Sequence, residues 1–241
     1  MKNVSDKEQQ YKELERLSQK LHIPMFETRI RLEVFNKSGN LLTHHQQRGH
    51  SWVRSFYNWL FASHAGKNLS DVSPNWGDGF LNVKQTDNTI YGGAGPTVQA
   101  NNDTWDTTAR GYRAGGGVAT WGILVGSGLD AESFDDYNLQ TQIAEGAGPG
   151  QLNHAASEAH DVTWTAGTRT MQNDLVRYFN NNSGGAIDVN ELVLVCSCDR
   201  PGVVGGEIPV AVSRDKLGVT VTVPDTGQLK VTYSISIVYP A

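Results

Sequence analysis

Three histidines lie close together and are the first residues whose type could bind a metal ion. His44 and His45 are adjacent, and His50 follows them in the segment that begins at Thr43. Adjacent residues of a β-strand point to opposite faces of a sheet, so His44 and His45 cannot easily bind one ion together. No Cys, Asp or Glu lies between Thr43 and His50 to complete a ligand set. We therefore expect a polar strand edge here, with no metal ion and no cofactor.

Asp135 and Asp136 are adjacent carboxylates, and Glu132 and Glu145 lie nearby in the sequence. A glycosidase needs two carboxylates on opposite sides of a cleft, about 5 to 10 Å apart. Neighbours in sequence do not face each other in this way. The segment that starts at Ser133 instead has the residue types that begin a helical turn, where Asp136 would accept backbone N–H groups.

Other signatures of enzymes are missing from the sequence. The segment Gly146–Gly150 lacks the Gly-Lys-Ser/Thr of a phosphate-binding loop, and its Pro149 has no N–H to offer a phosphate. The sequence contains no Gly-x-Ser-x-Gly motif of the kind that carries a nucleophilic serine. We therefore predict that the protein is not an enzyme.

Cys196 and Cys198 are the only cysteines of the chain. In an extended strand their side chains point to one face, about 6.6 Å apart along the strand. A disulfide bond between them would be strained. We interpret both as small buried side chains of a central strand.

The overall composition is typical of many short strands joined by polar loops. Hydrophobic residues make up 38% and charged residues 19% of the 241 residues, both below the usual values of about 45–50% and about 25%. The net charge of -5 disfavours direct binding of nucleic acid, because such proteins usually have a basic excess. No apolar run approaches the roughly 20 residues of a membrane span, and the charged N-terminal segment does not resemble a secretory signal.

The first 22 residues predict an amphipathic helix that begins near a capping box at Ser5 and Glu8 and ends before Pro24. An isolated helix of this length is only marginally stable in water, so its apolar stripe must pack against something. The stripe packs either on the protein's own β-domain or on a neighbouring subunit, as a docked helix or a short bundle. Spacings of three and four residues define this candidate interface, which consists of Tyr11, Leu14, Leu17 and Leu21.

From Glu27 onward the hydrophobic pattern changes to the alternation of β-strands, which predicts a hairpin around the turn at residues 36–40. A short, largely buried helix over Trp52–Phe61 is expected to cover an end or a face of a sheet. A strand at 119–126 and another at 187–198 are expected to be buried on both faces. Further strands are predicted at 152–166 and 168–179, and a final hairpin joins residues 219–223 to residues 229–237 through a turn at 224–228.

This arrangement, which lacks a βαβ rhythm, predicts a mainly β protein with an antiparallel, jelly-roll-like β-sandwich. The sandwich would carry an N-terminal amphipathic helix and one short packed helix. We divide the chain into a helical arm, residues 1–25, and a single β-sandwich domain, residues 26–241, with a long irregular insertion at 64–118.

The insertion is rich in aromatic, amide and carboxylate side chains, which are suited to contact a sugar or a protein surface. The same side chains could instead pin the long loops onto the sandwich or contact neighbouring subunits. The candidate residues of these loops are Trp76, Tyr91, Trp105, Asp106 and Tyr112.

Several segments between residues 119 and 241 carry the motifs of one protein class. They are Trp121–Gly128, Phe134–Ile143, Gly150–Leu152, Arg177–Gly185, Ile187–Glu191 and Val223–Tyr233. In these segments the chain resembles virion structural proteins of tailed bacteriophages, and the shared motifs are structural and not catalytic. The resemblance implies a component of a capsid decoration, collar or tail.

Such a protein would be assembled in the host cytoplasm and would become part of the virion. Its partners would be further copies of itself, in a symmetric homo-oligomer, and other virion proteins. An alternative is a receptor- or carbohydrate-binding module of a phage appendage. That module would bind a host-surface glycan or receptor through the loops of residues 64–118.

Overall fold

A computed structural model describes residues 6–65, 76–78, 80–91, 111–199 and 207–240. This part of the chain contains two helices, α1 (Asp6–Leu21) and α2 (Arg54–Ala65). Neither of them is long and apolar enough to cross a membrane. The strands of the described residues are β1 (Met25–Phe35), β2 (Leu41–Gly49), β3 (Val83–Lys84), β4 (Ile90–Tyr91), β5 (Gly122–Gly126), β6 (Asn153–His154), β7 (Asp161–Thr165), β8 (Thr170–Asn180), β9 (Ile187–Asp199), β10 (Glu207–Val223) and β11 (Gln228–Val238).

Two antiparallel sheets pack face to face and form a β-sandwich. The six-stranded sheet has the order β2-β1-β11-β8-β6, with β7 also paired to β8, and the three-stranded sheet has the order β10-β9-β5. Strands β3 and β4 form a separate two-stranded sheet. The predicted fold class, an antiparallel β-sandwich with an N-terminal helix and a second short helix, is confirmed.

Strand β9 shows how the alternation of side chains builds the interior. Leu194 belongs to the main core between the two sheets, whereas Val193 and Val195 belong to a second cluster that contains Val53 and Leu139. Successive side chains of a strand point to opposite faces, so this strand is buried on both sides, as predicted. The side chains that share the main core with Leu194 include Leu192, Cys196 and Cys198.

Cys196 and Cys198 are both buried free thiols, which confirms their interpretation as core side chains of a central strand. Burial raises the pKa of the Cys196 thiol well above its ordinary value, so this sulfur stays protonated and unreactive.

The pairing predicted for the end of the chain is wrong. The turn is present, and Gly227 N donates to the Pro224 carbonyl over 2.9 Å. However, β10 pairs with β9, while β11 pairs with β1 and β8. The turn therefore carries the chain from one sheet to the other. Alternation cannot distinguish this crossing from a hairpin, because the inner faces of both sheets line the same core.

Two other predicted elements differ from the structure. The long strand expected at 152–166 is replaced by β6 and β7, two short strands that both pair with β8. Helix α2 is present but not largely buried, because Tyr57, Leu60 and Phe61 are exposed on its outer face. Its inner side carries Phe56, which stacks on Trp52 with ring centroids 4.2 Å apart.

A buried arginine on β10 holds the segment that follows β5. The Arg214 side chain is fully buried, and its Nε donates to Glu191 Oε2 over 2.8 Å. Its Nη1 donates to Asp136 Oδ2 over 2.8 Å, and its Nη groups also donate to the carbonyls of Asp130 and Ala131. Burial alone would lower the pKa of Arg214, but the hydrogen bonds to Asp136 and Glu191 outweigh burial and raise it.

Glu191 extends this network to backbone groups that would otherwise lack partners. Its Oε1 accepts the N–H groups of Gly128 over 3.1 Å and Thr141 over 2.9 Å. Gly126 and Gly128 pass so close to the Glu191 carboxylate that a Cβ on either glycine would clash with it. Glycine is therefore required at both positions, because the Glu191 side chain lies where a Cβ atom would be.

A second buried arginine, Arg177 on β8, fastens another irregular segment to the sandwich. Its guanidinium is bonded to backbone carbonyls, and burial lowers its pKa to about 10. The accepting carbonyls are those of Ala155 at 3.0 Å, Ile123 at 2.9 Å, Val118 at 2.5 Å, Trp121 at 3.3 Å and Gly115 at 3.4 Å.

We predict that Arg214→Met destabilises the protein by about 3 to 5 kcal/mol, because the Glu191 and Asp136 carboxylates lose a buried cation. Urea denaturation followed by tryptophan fluorescence measures the change. Arg16→Gln, which removes an exposed ion pair with Glu13, is the control and should leave the midpoint unchanged. A loss in Arg214→Met no larger than that of the control would show that the network does not stabilise the fold.

Candidate functional site

Arg48 of β2 attaches α1 to the first sheet. Its Nη2 donates to Glu15 Oε1 over 2.7 Å, and its Nε lies 3.7 Å from Glu8 Oε2. Its guanidinium carbon lies 4.7 Å from the centroid of the Tyr11 ring. Nη1 lies 3.3 Å from Glu27 Oε2 on β1, so a single cation connects the helix to the edge strand β2 and to its neighbour β1.

The inner face of α1 is therefore largely polar. Burial lowers the pKa of Arg48, but the hydrogen bond to Glu15 and the charges of Glu27 and Glu8 outweigh burial and raise it. Ser18 is buried on the same face, and its hydroxyl donates to the Ile23 carbonyl over 2.5 Å. This bond closes the helix at Leu21, just before Pro24, where the sequence predicts its end.

The leucines of α1 point away from this contact. Leu14 is 49% exposed, Leu17 is 37% exposed and Leu21 is 59% exposed. At 3.6 residues per turn, the centre of the leucine stripe lies about 110° around the helix from the centre of the polar face. The predicted stripe is thus divided: Tyr11 packs on the protein's own domain, and the three leucines do not.

One of the exposed leucines, Leu14, lies beside other exposed apolar side chains. Leu14 lines a groove of about 200 Å³ together with Phe26 of β1 and Tyr57 of α2. Phe26 and Tyr57 are about half exposed. We name this region the apolar surface; it consists of Leu14, Leu17, Leu21, Phe26 and Tyr57. A group of exposed apolar side chains of this kind marks an interaction site more often than scattered single residues do.

The aromatic residues of the predicted ligand loops lie in different surroundings. Tyr91 and Tyr112 pack against the main core, and burial raises the pKa of Tyr112 well above its ordinary value. Both thus pin loop segments onto the sandwich, which is one of the interpretations left open by the sequence. Trp76 lies near two cations, with Arg54 and Lys84 each 6.0 Å from its ring centroid. Trp105 and Asp106 lie outside the described residues.

The carboxylates considered for catalysis are engaged in separate structural contacts. Asp135 forms an ion pair with Arg54. Asp136 accepts the backbone N–H of Ser133 over 2.8 Å, as predicted, and also pairs with Arg214. Glu145 accepts the backbone N–H of His154.

Two residues from different parts of the sequence analysis meet in the structure. His44 and His45 lie on β2, the outer strand of its sheet, in agreement with the predicted polar edge. His50, in contrast, lies beside Glu132 and Asp215. Asp215 was missed by the sequence analysis. The signal for it was the run of three charged residues, Arg214, Asp215 and Lys216, between two largely apolar parts of one strand.

Comparisons with known proteins identify no relative of this chain: no family model, no curated protein and no solved structure matches it.

We predict that Arg48→Met loosens α1 without unfolding the sandwich, because the helix loses its cation and gains no packing in return. Trypsin should cut at Lys12, Arg16 and Lys20 about fivefold faster, corresponding to about 1 kcal/mol for a partly exposed ion-pair network. Arg31→Met, which removes an exposed arginine of β1, is the control. Equal cleavage rates in the two variants would show that Arg48 does not anchor the helix.

Proposed function

We propose that this protein is a non-enzymatic structural subunit of a tailed-bacteriophage virion and that it assembles into a symmetric homo-oligomer through the apolar surface. The observation that carries the proposal is the orientation of α1. The helix is anchored to its own domain by Arg48, yet it presents three leucines to the outside. The phage-like motifs between residues 119 and 241 supply the virion part of the proposal.

The energetics of the apolar surface support self-association. Burying a fully exposed leucine side chain contributes about 1.5 to 3 kcal/mol. The three leucines are 37% to 59% exposed, so contact with another apolar face contributes roughly half of that for each. Because α1 is already folded and anchored, docking does not require the chain to order a free helix, which would reduce affinity. A second copy presents the same apolar surface, and a two-fold arrangement lets each copy cover the other.

The alternative, a receptor- or carbohydrate-binding module, depends on the loops of residues 64–118. Two of the five candidate residues, Tyr91 and Tyr112, are packed against the core and offer less surface to a ligand. We therefore favour the structural role.

Replacing the three leucines tests the oligomer. We expect the wild-type protein to elute as a defined oligomer in size-exclusion chromatography with light scattering. The variant Leu14→Gln/Leu17→Gln/Leu21→Gln should have the mass of a single chain, because each glutamine makes burial of the helix face unfavourable. The matched control is Leu129→Gln/Val162→Gln/Val219→Gln, which changes three exposed apolar residues outside α1. A monomeric wild type, or a triple α1 variant that stays oligomeric, would contradict the proposed assembly.

A second measurement tests the location in the virion. Mass spectrometry of phage particles purified by density gradient from the source should find this chain at a fixed copy number relative to the major capsid protein. The chain should remain with the particles through repeated gradients. Recovery of the chain only in the particle-free fraction would refute a virion role while leaving the oligomer untouched.

A further inference from the structure

Three side chains that bind metal ions in other proteins meet at one point of the sandwich. His50 follows β2, Glu132 lies in the segment after β5, and Asp215 lies on β10. One ligand atom from each lies within 4.8 Å of the other two. His50 Nδ1 is 3.1 Å from Glu132 Oε2 and 3.9 Å from Asp215 Oδ1.

We propose that His50, Glu132 and Asp215 bind a divalent transition-metal ion of the zinc class. Imidazole and carboxylate groups together suit zinc and its neighbours better than magnesium or calcium, which prefer oxygen ligands alone. Three protein ligands leave at least one coordination position for water or a further group.

The distances come close to those around such an ion. In a tetrahedral site, two ligand atoms that each lie about 2.0–2.2 Å from zinc are about 3.3–3.6 Å apart. The 3.1 Å and 3.9 Å distances from His50 Nδ1 lie within about 0.3 Å of this range. The third distance, at most 4.8 Å, needs a shift of about 1 Å, which the long, partly exposed side chain of Glu132 allows.

Hydrogen bonds from neighbouring groups hold the three ligand side chains in place, as such bonds commonly do around metal sites. Asp215 Oδ1 accepts the backbone N–H of His50 over 2.8 Å, and the Tyr233 hydroxyl lies 3.5 Å from Oδ2. Glu132 Oε1 accepts the backbone N–H of Lys216 over 2.8 Å, which turns Oε2 toward His50. A cavity of about 410 Å³ beside His50 and Glu132, lined also by Tyr11, gives an ion access.

The charge at this point also favours a cation. The Asp215 side chain is fully buried. The nearest cationic side chains of β10 are directed elsewhere: Lys216 Nζ donates to the Leu129 carbonyl, and Arg214 donates to Glu191 and Asp136. A divalent ion would compensate the two carboxylates, since a buried charge without a counter-charge is costly.

Equilibrium dialysis against Zn²⁺, followed by elemental analysis, tests the site directly. We expect one equivalent of zinc per chain, which excess Mg²⁺ does not displace. Asp215→Asn and Glu132→Gln keep the side-chain shapes and should each weaken zinc binding by about tenfold to a hundredfold or more, as changes around metal sites typically do. His44→Ala, on β2 shortly before His50 but outside the cluster, is the control and should bind zinc like the wild type.

Cobalt supplies a second measurement, which reports the coordination geometry of the bound ion. Co²⁺ should give visible absorption bands of a low-coordinate site in the wild type, and these bands should be lost in His50→Ala. Because Glu132 is partly exposed, Glu132→Gln should fold normally, which circular dichroism verifies. Absence of stoichiometric zinc binding by the wild type, or zinc binding in Glu132→Gln and Asp215→Asn equal to that of His44→Ala, would overturn the proposal.

Discussion

The contact between Arg48 and α1 determines what this protein presents to its surroundings. One guanidinium interacts with Glu8, Glu15 and the ring of Tyr11 on the helix, and with Glu27 on the sheet. Ion pairs and cation–π contacts require particular directions, whereas leucine packing does not. The helix is therefore held with its polar side inward, although its hydrophobic pattern alone would favour an orientation in which the leucines also face the sheet. The exposed leucines and the cavity beside His50 both follow from this orientation.

Charged side chains also hold segments without regular secondary structure inside the sandwich. A segment without regular secondary structure leaves backbone groups unpaired, and buried ones need partners. The Arg177 guanidinium donates hydrogen bonds to backbone carbonyls of the segment 115–123 and to the carbonyl of Ala155. The Glu191 carboxylate accepts hydrogen bonds from backbone N–H groups of the segment 128–141. The described segments at 115–121 and 128–141 are thus fixed by a few buried charged side chains as well as by apolar contacts.

The sequence predicts the sandwich well because alternation is a local property. Three correctly predicted features depend on residues that are close together in the chain. They are the opposite directions of the Val193 and Leu194 side chains, the first hairpin and the extent of α1. The strand pairing at Pro224 could not be predicted in this way, since a turn between two alternating strands serves a hairpin and a crossing equally well. Turn chemistry fixes the local bend but not the sheet that the next strand joins.

The candidate sites were predicted less completely, for a related reason. The leucine stripe was found, but its orientation depends on Arg48, 33 residues away from its partner Glu15. His50 and Glu132 were considered separately, and the third member of their cluster, Asp215, lies 165 residues from His50. Only the closure of the sandwich brings such residues together. Long-range contacts of this kind leave no periodic trace in the sequence.

The proposed oligomer requires the leucine face of α1 to contact a further copy of the same chain. Hydrogen–deuterium exchange measured at low and at high protein concentration tests it most directly. Exchange of the amides between residues 14 and 21 should slow as concentration rises, while exchange in β9 stays constant, because only the helix becomes covered. Exchange in α1 that does not depend on concentration would rule out this contact.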